Sequence, residues 1–222
     1  VEPALILWVF DSRGGFEPGP NSPGVPDWVD ESVAGWISTE SAAMNAAWGP
    51  AENRGALAFV HIPPASYHLM CKLTLTLSRT LASMVLYIFK PSRLHISLTL
   101  TPHASVADEL DGIGSVQATF TEGNSGKDDA FWRALNENVK NLHAVFSGHD
   151  HGNEWCAREP VRDVIFCFGK HSGYGGYTQP DWEYGVRNIL FSSADPRKGV
   201  ETWIRLEQGE TRARIILDGN YS

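Results

Sequence analysis

The chain opens on an unbroken apolar run, Ala4-Leu5-Ile6-Leu7-Trp8-Val9-Phe10, too short to cross a bilayer and of the length of a buried strand. Residues 11–28 follow with four prolines and four glycines, a loop with no room for a helix or central strand. Asp27 or Asp30 can cap a helix in which Val29, Val33, Trp36 and Ile37 recur at helical spacing. Ala56-Leu57-Ala58-Phe59-Val60 is a second short buried strand, stopped by Pro63-Pro64, so that His61 stands at its carboxyl end. Phe131, Leu135, Val139 and Leu142 share one stripe of a helix predicted over 127–142. His143–Ser147 is the next strand and runs into Gly148-His149-Asp150-His151-Gly152. Apolar runs at 164–168, 188–192, 200–206 and 212–217 are separated by turn residues with little space for helices. The middle therefore reads as α/β and the tail as mostly antiparallel β.

One stretch departs from this pattern. No acidic residue lies between Glu52 and Asp108, and no glycine between Gly55 and Gly112, in a chain with 26 acidic residues and 21 glycines. Three readings stand for it. The alternation in Leu73–Ser78 and Ile96–Thr101 suits a strand pair. Leu81–Phe89 suits a membrane-touching segment that flanking charges leave too short to span. The Leu, Ser and Thr bias of residues 66–104 also suits translated intron, since pyrimidine-rich codons before a splice acceptor specify such residues; the spliced transcript separates this reading from the others.

Composition narrows the function. A length of 222 residues allows one large domain or two small ones. With 42% hydrophobic and 20% charged residues the chain is globular. Eighteen Lys and Arg against those 26 acids give a net charge of −8, which argues against a general nucleic-acid binder, and no membrane partner is expected. Three cysteines cannot all pair, so no disulfide framework is expected; Cys156 and Cys167 either bond to each other or are two buried thiols. No basic, apolar and small-residue leader precedes the first strand, which weighs towards a cytoplasmic protein, and a buried strand at residue 4 suggests further chain upstream.

Chemistry concentrates where strands end. A strand followed at once by glycine is where side chains project into a crevice. His149 and His151 there can each bind a metal or share one, as neutral imidazole suits Zn, Fe and Mn; they can equally cap surface turns. His61 has the same setting, as a ligand or as a structural residue, and neighbouring parallel strands would bring the two ends together. These imidazoles alone are too few for a closed catalytic metal site. His171, in the Gly/Tyr loop 170–177, faces a substrate phosphate or packs a turn; Tyr174 and Tyr177 line a pocket or close the core. Asn153 and Glu154 orient His149 or His151 from behind, or belong to a turn. His143 reads as structural, and His68, His95 and His103 carry no assigned role.

Phe59-Val60-His61-Ile62-Pro63 and Ser147-Gly148-His149-Asp150-His151 together resemble the last two metal-binding motifs of calcineurin-like metallophosphoesterases, nearest the purple-acid-phosphatase-like branch. Leu7–Ser12, Lys170–Tyr177 and Gly185–Asn188 are also similar to that branch, and the resemblance spans residues 1–64 and about 105–218. It implies a four-layer α/β/β/α sandwich, of which residues 1–222 form the carboxyl-terminal portion with an insertion at about 66–104. It also implies two metal ions of the Fe, Zn or Mn class, with His61 and His149 on one and His151 on the other. A hydroxide bridging the metals then attacks phosphorus in a phosphorylated protein or small phosphomonoester. The branch's earlier motifs, an Asp-His pair, a bridging Asp and an Asn-His-Asp run, have no counterpart here, so no catalytic residue is assigned. A metal-dependent phosphoesterase incomplete in this chain is the leading expectation; a non-catalytic truncated product or a β-rich protein-binding module is the alternative.

Overall fold

Apolar runs too short for helices pair side by side. In the computed structural model, which describes residues 2–64, 127–159, 162–180 and 182–221, β1 (Leu5–Phe10), β2 (Gly55–Val60), β3 (Leu142–Ser147) and β5 (Val164–Phe168) are parallel. The short β4 (Cys156–Glu159) runs antiparallel to β5 and ends the sheet, in the order β1-β2-β3-β5-β4. β6 (Gly185–Phe191), β7 (Val200–Leu206) and β8 (Thr211–Leu217) form a second, antiparallel sheet. Residues 66–104, with their three readings, lie outside the described residues.

The side-chain alternation of the strands builds two cores. Trp8, Phe10, Val145, Phe166 and Phe168 face α1 (Ser32–Trp48) and α2 (Asp129–Asn138), meeting Ile37, Phe131 and Leu135. Leu57, Ala144 and Ile165 face the opposite way, onto Val200 and Leu217 of the second sheet. The described residues are thus a mixed α/β fold in three layers: helices, sheet, sheet. Among the described residues the second sheet covers β2, β3 and β5 but not β1, and nothing described packs on the outer face of β1. Leu7 and Val9 remain 51% and 74% exposed.

The tail is antiparallel as its turn spacing implies, with one difference: β5 joins the parallel sheet beside β3. The helix expected over 127–142 is shorter, because Val139 is extended and Asn141 takes φ 55°, releasing Leu142 into β3. His143 is buried and donates from Nε2 to the Leu217 carbonyl, 3.0 Å away, tying the two sheets together. Desolvation holds its pKa below the ordinary histidine value. No described helix is long and apolar enough to cross a membrane.

Cys156 and Cys167 are register partners on β4 and β5 and form a disulfide, which settles the choice between a bridge and two thiols. The bridge closes a short loop between strands that are both buried at that point. Replacing both cysteines with alanine should lower stability by about 3 kcal/mol, the chain-entropy value for a loop of this size. Urea denaturation checks it; an unchanged midpoint in the double variant would show that the bridge does not form.

A histidine crevice at the strand ends

The parallel strands present their carboxyl ends on one side, and hydrogen bonds continue the sheet beyond them. Ser12 Oγ, after β1, accepts from the Ile62 amide at 2.9 Å. The His61 carbonyl, after β2, accepts from Gly148 N at 2.9 Å, and Ser147 O accepts from Gly169 N at 2.6 Å. The loops that carry His61, His149–His151 and Lys170–His171 are therefore held at sheet spacing.

His61 and His149 meet edge to face, with ring centroids 5.5 Å apart. Glycine at 148 permits this approach, since a Cβ there would stand 3.1 Å from His61 Nδ1. His149 itself is left-handed, with φ 69°, inside a tight turn closed by Asp150 N to Gly148 O at 2.8 Å. A non-glycine residue in that region is uncommon and often accompanies a functional site. Burial lowers the pKa of both rings, with a smaller contribution from their neighbouring imidazoles. Both are thus held in the neutral form that binds metals. The Asp150 carboxyl is buried too, and desolvation raises it to about 7.

His151 is clamped by the Gly/Tyr loop. Its ring lies between His171, 3.8 Å away, and Tyr177, 4.2 Å away and stacked nearly parallel to it. Nδ1 lies 2.6 Å from the Tyr177 carbonyl. A carbonyl only accepts, so Nδ1 carries the proton and Nε2 keeps its lone pair. The Tyr177 hydroxyl closes the clamp, donating to His149 O at 3.1 Å and accepting from His151 N at 3.3 Å. Gly176 sits at φ 82°, where a Cβ would come within 2.8 Å of His151 Cε1, while positions 173 and 175 are open. Gly176→Ala should therefore cost about 1–3 kcal/mol and disturb the His151 tautomer seen by ring ¹⁵N NMR. Gly173→Ala and Gly175→Ala should stay within about 0.5 kcal/mol. Equal behaviour of all three would remove the clamp.

The other expected residues divide. His171 is buried on the back of His151, with Nε2 3.0 Å from the Gly175 carbonyl. Tyr174 is 75% exposed at the rim, its hydroxyl on Glu207 and its ring against Tyr184. Asn153 is fully buried, and its Oδ1 accepts from Trp155 Nε1 at 3.2 Å. Glu154 lies below the loops, ion-paired to Lys170 at 3.5 Å and Arg212 at 2.8 Å. Sequence spacing gives no hint of that triad. A cavity of about 430 Å³ opens beside His61 and Gly148, between Val9 and Phe59 of the sheet and Arg187 of β6.

Two facing neutral imidazoles suit one transition-metal cation. Among the described residues no group of three His, Cys, Asp or Glu side chains gathers in a metal-holding arrangement. The described residues therefore fit a two-imidazole clip and do not by themselves fit a two-metal centre, which draws three or more protein ligands per catalytic ion.

No protein-family model matches the chain. Parts of it are similar to Arabidopsis thaliana proteins named probable inactive purple acid phosphatases. Number 28 is 37% identical over 81 residues, covering 36% of this chain and 19% of that protein. Number 29 is 32% identical over 71 residues, 29% of this chain and 18% of that protein. Number 14 is 31% identical over 121 residues, 51% of this chain and 28% of that protein. The chain thus spans between a little under a fifth and a little over a quarter of the length of these relatives, and the likeness suggests the purple-acid-phosphatase-like family at that coarse level.

Proposed function

We infer that the strand-end crevice is the histidine side of a metal-dependent phosphoesterase site, to which His61 and His149 contribute one cation's imidazoles and His151 a ligand for a second. The observation that carries this is the edge-to-face pair of neutral imidazoles on adjoining parallel strand ends, next to a histidine whose free nitrogen is fixed as Nε2. The partial likeness to purple-acid-phosphatase-like proteins supports it. In this reading the three described layers belong to a four-layer α/β/β/α sandwich, and residues 1–222 are the carboxyl-terminal portion of such a domain. Calcineurin-like membership rests on the two histidine motifs.

Ions of the Fe, Zn or Mn class would supply the positive field that neutralises a phosphate and makes water more acidic. The chain's own residues do the positioning. Gly148 lets the rings of His61 and His149 approach, Tyr177 fixes the His151 tautomer, and the cavity beside His61 offers room for a phosphorylated side chain or small phosphomonoester. No described carboxylate joins the pair, so the described residues hold a cation without completing the hydrolytic centre. The "inactive" in the relatives' names favours the same non-hydrolytic outcome. The buried Cys156–Cys167 bridge also favours an oxidising compartment over the cytoplasm that the sequence weighed towards.

The test is an assay of p-nitrophenyl phosphate hydrolysis with Zn²⁺, Mn²⁺ or Fe³⁺ added. The expected result is a rate at the no-protein blank. Turnover abolished by His149→Ala would show that the chain completes a catalytic centre and overturn the incomplete-centre reading.

A further inference from the structure

At the other end of the parallel sheet, one strand length or about 17 Å from the histidines, two strands begin with the same corner. Lys140-Asn141 leads into β3 at Leu142, and Arg162-Asp163 leads into β5 at Val164. Asn141 and Asp163 are both left-handed, with φ 55° and 61°, a conformation that Asn and Asp tolerate better than other side chains. β3 and β5 are hydrogen-bonded neighbours, so the corners stand side by side. With Arg158 of β4 and Arg197 of the 3₁₀ turn Pro196–Lys198 they line a cavity of about 360 Å³.

The walls are braced without a ligand. Asn141 Nδ2 lies 2.9–3.0 Å from the carbonyls of Ala51, Glu52 and Arg54, and Asn141 Oδ1 accepts from Arg197 at 3.2 Å. Arg158 is engaged by the Asp163 carboxylate and by the Tyr221 and Asp218 carbonyls, and Arg197 by Asp195. The Glu159 carboxylate accepts from the backbone amide of Arg162. Lys140 Nζ donates to the Glu137 carbonyl at 3.5 Å, and the exposed side chains of Lys140 and Arg162 form no ion pair among the described residues. The lining carries four cations against the one carboxylate of Asp163, in a chain whose net charge is −8.

We propose that this cavity binds a phosphate-type dianion, free or carried on a small molecule, between Lys140 and Arg162. Preformed walls lower the ordering cost of such binding, and the two cations that lack a carboxylate partner among the described residues match a dianion's charge. The site is independent of the crevice and of any metal there.

The test titrates the metal-stripped chain with inorganic phosphate, and separately with O-phosphoserine, followed by amide NMR. The expected result is a shift of amides at 140–142 and 162–164. Lys140→Ala/Arg162→Ala should weaken binding by about tenfold or more, with an unchanged far-UV circular dichroism spectrum. His149→Ala/His151→Ala should leave it unchanged. O-phosphoserine binding more tightly than phosphate would assign a carried group, and the reverse order a free anion. Shifts confined to the histidine loops, an affinity indifferent to the Lys140/Arg162 substitutions, or no shift up to roughly 10 mM phosphate would overturn the proposal.

Discussion

Glu154→Ala is expected to destabilise the fold by about 3–5 kcal/mol, the cost of breaking a buried ion pair from one side. Glu154 and Lys170 both have fully buried side chains, and Glu154 also receives Arg212 through Nη2 at 2.8 Å and Nε at 3.2 Å. Burial pulls the Lys170 pKa down and Glu154 opposes that shift, so alanine at 154 removes the group that keeps the ammonium charged. Arg212 keeps Glu183 at 2.8 Å and is the lesser casualty. Against a total stability of roughly 5–15 kcal/mol, the loss is severe. Glu154→Met/Lys170→Met, which removes both charges and fills the space, should be more stable than Glu154→Ala alone. Urea denaturation of the three proteins measures this. A single variant within about 1 kcal/mol of the parent would mean that the pair is not buried as described.

The second large effect is on cation affinity. His149→Ala leaves His61 as the sole imidazole of the clip and removes the ring it meets at 5.5 Å. Loss of a direct ligand should exceed the 10–100-fold that loss of a supporting hydrogen bond typically costs, so Zn²⁺ affinity should fall by about 100-fold or more. His61→Ala should behave alike. His171→Ala, which removes a ring stacked behind His151, should change it by no more than about threefold. Competition against a chromophoric chelator reads all three. A His171 effect as large as that of His149 would move the site to the His151–His171 stack.

Much of this arrangement can be read from the chain because it is local. Short apolar runs such as Ala56–Val60 and Ala144–Phe146 have one cheap solution, a strand, and the prolines or glycine that follow fix where His61 and His149 emerge. What the sequence hides is what distant segments do to one another. β4 is four residues long and half polar, so its pairing with β5 comes from the partner strand and not from its own pattern. Leu7 and Val9 read as core, yet no layer among the described residues covers that face of β1. Glu154 and Lys170 meet because they flank the antiparallel pair β4 and β5, and Arg212 of β8 joins them only because the two sheets stack. Tyr177 grips His151 through a backbone carbonyl, which carries no residue-type signature at all.

In the proposed site His61 and His149 hold one cation together. Ring ¹⁵N NMR of the parent chain during a Zn²⁺ titration reads this shared coordination. Its expected outcome is that one nitrogen of His61 and one of His149 shift together and saturate at one equivalent. Saturation that leaves either ring unmoved, or that moves His143 instead, would contradict it.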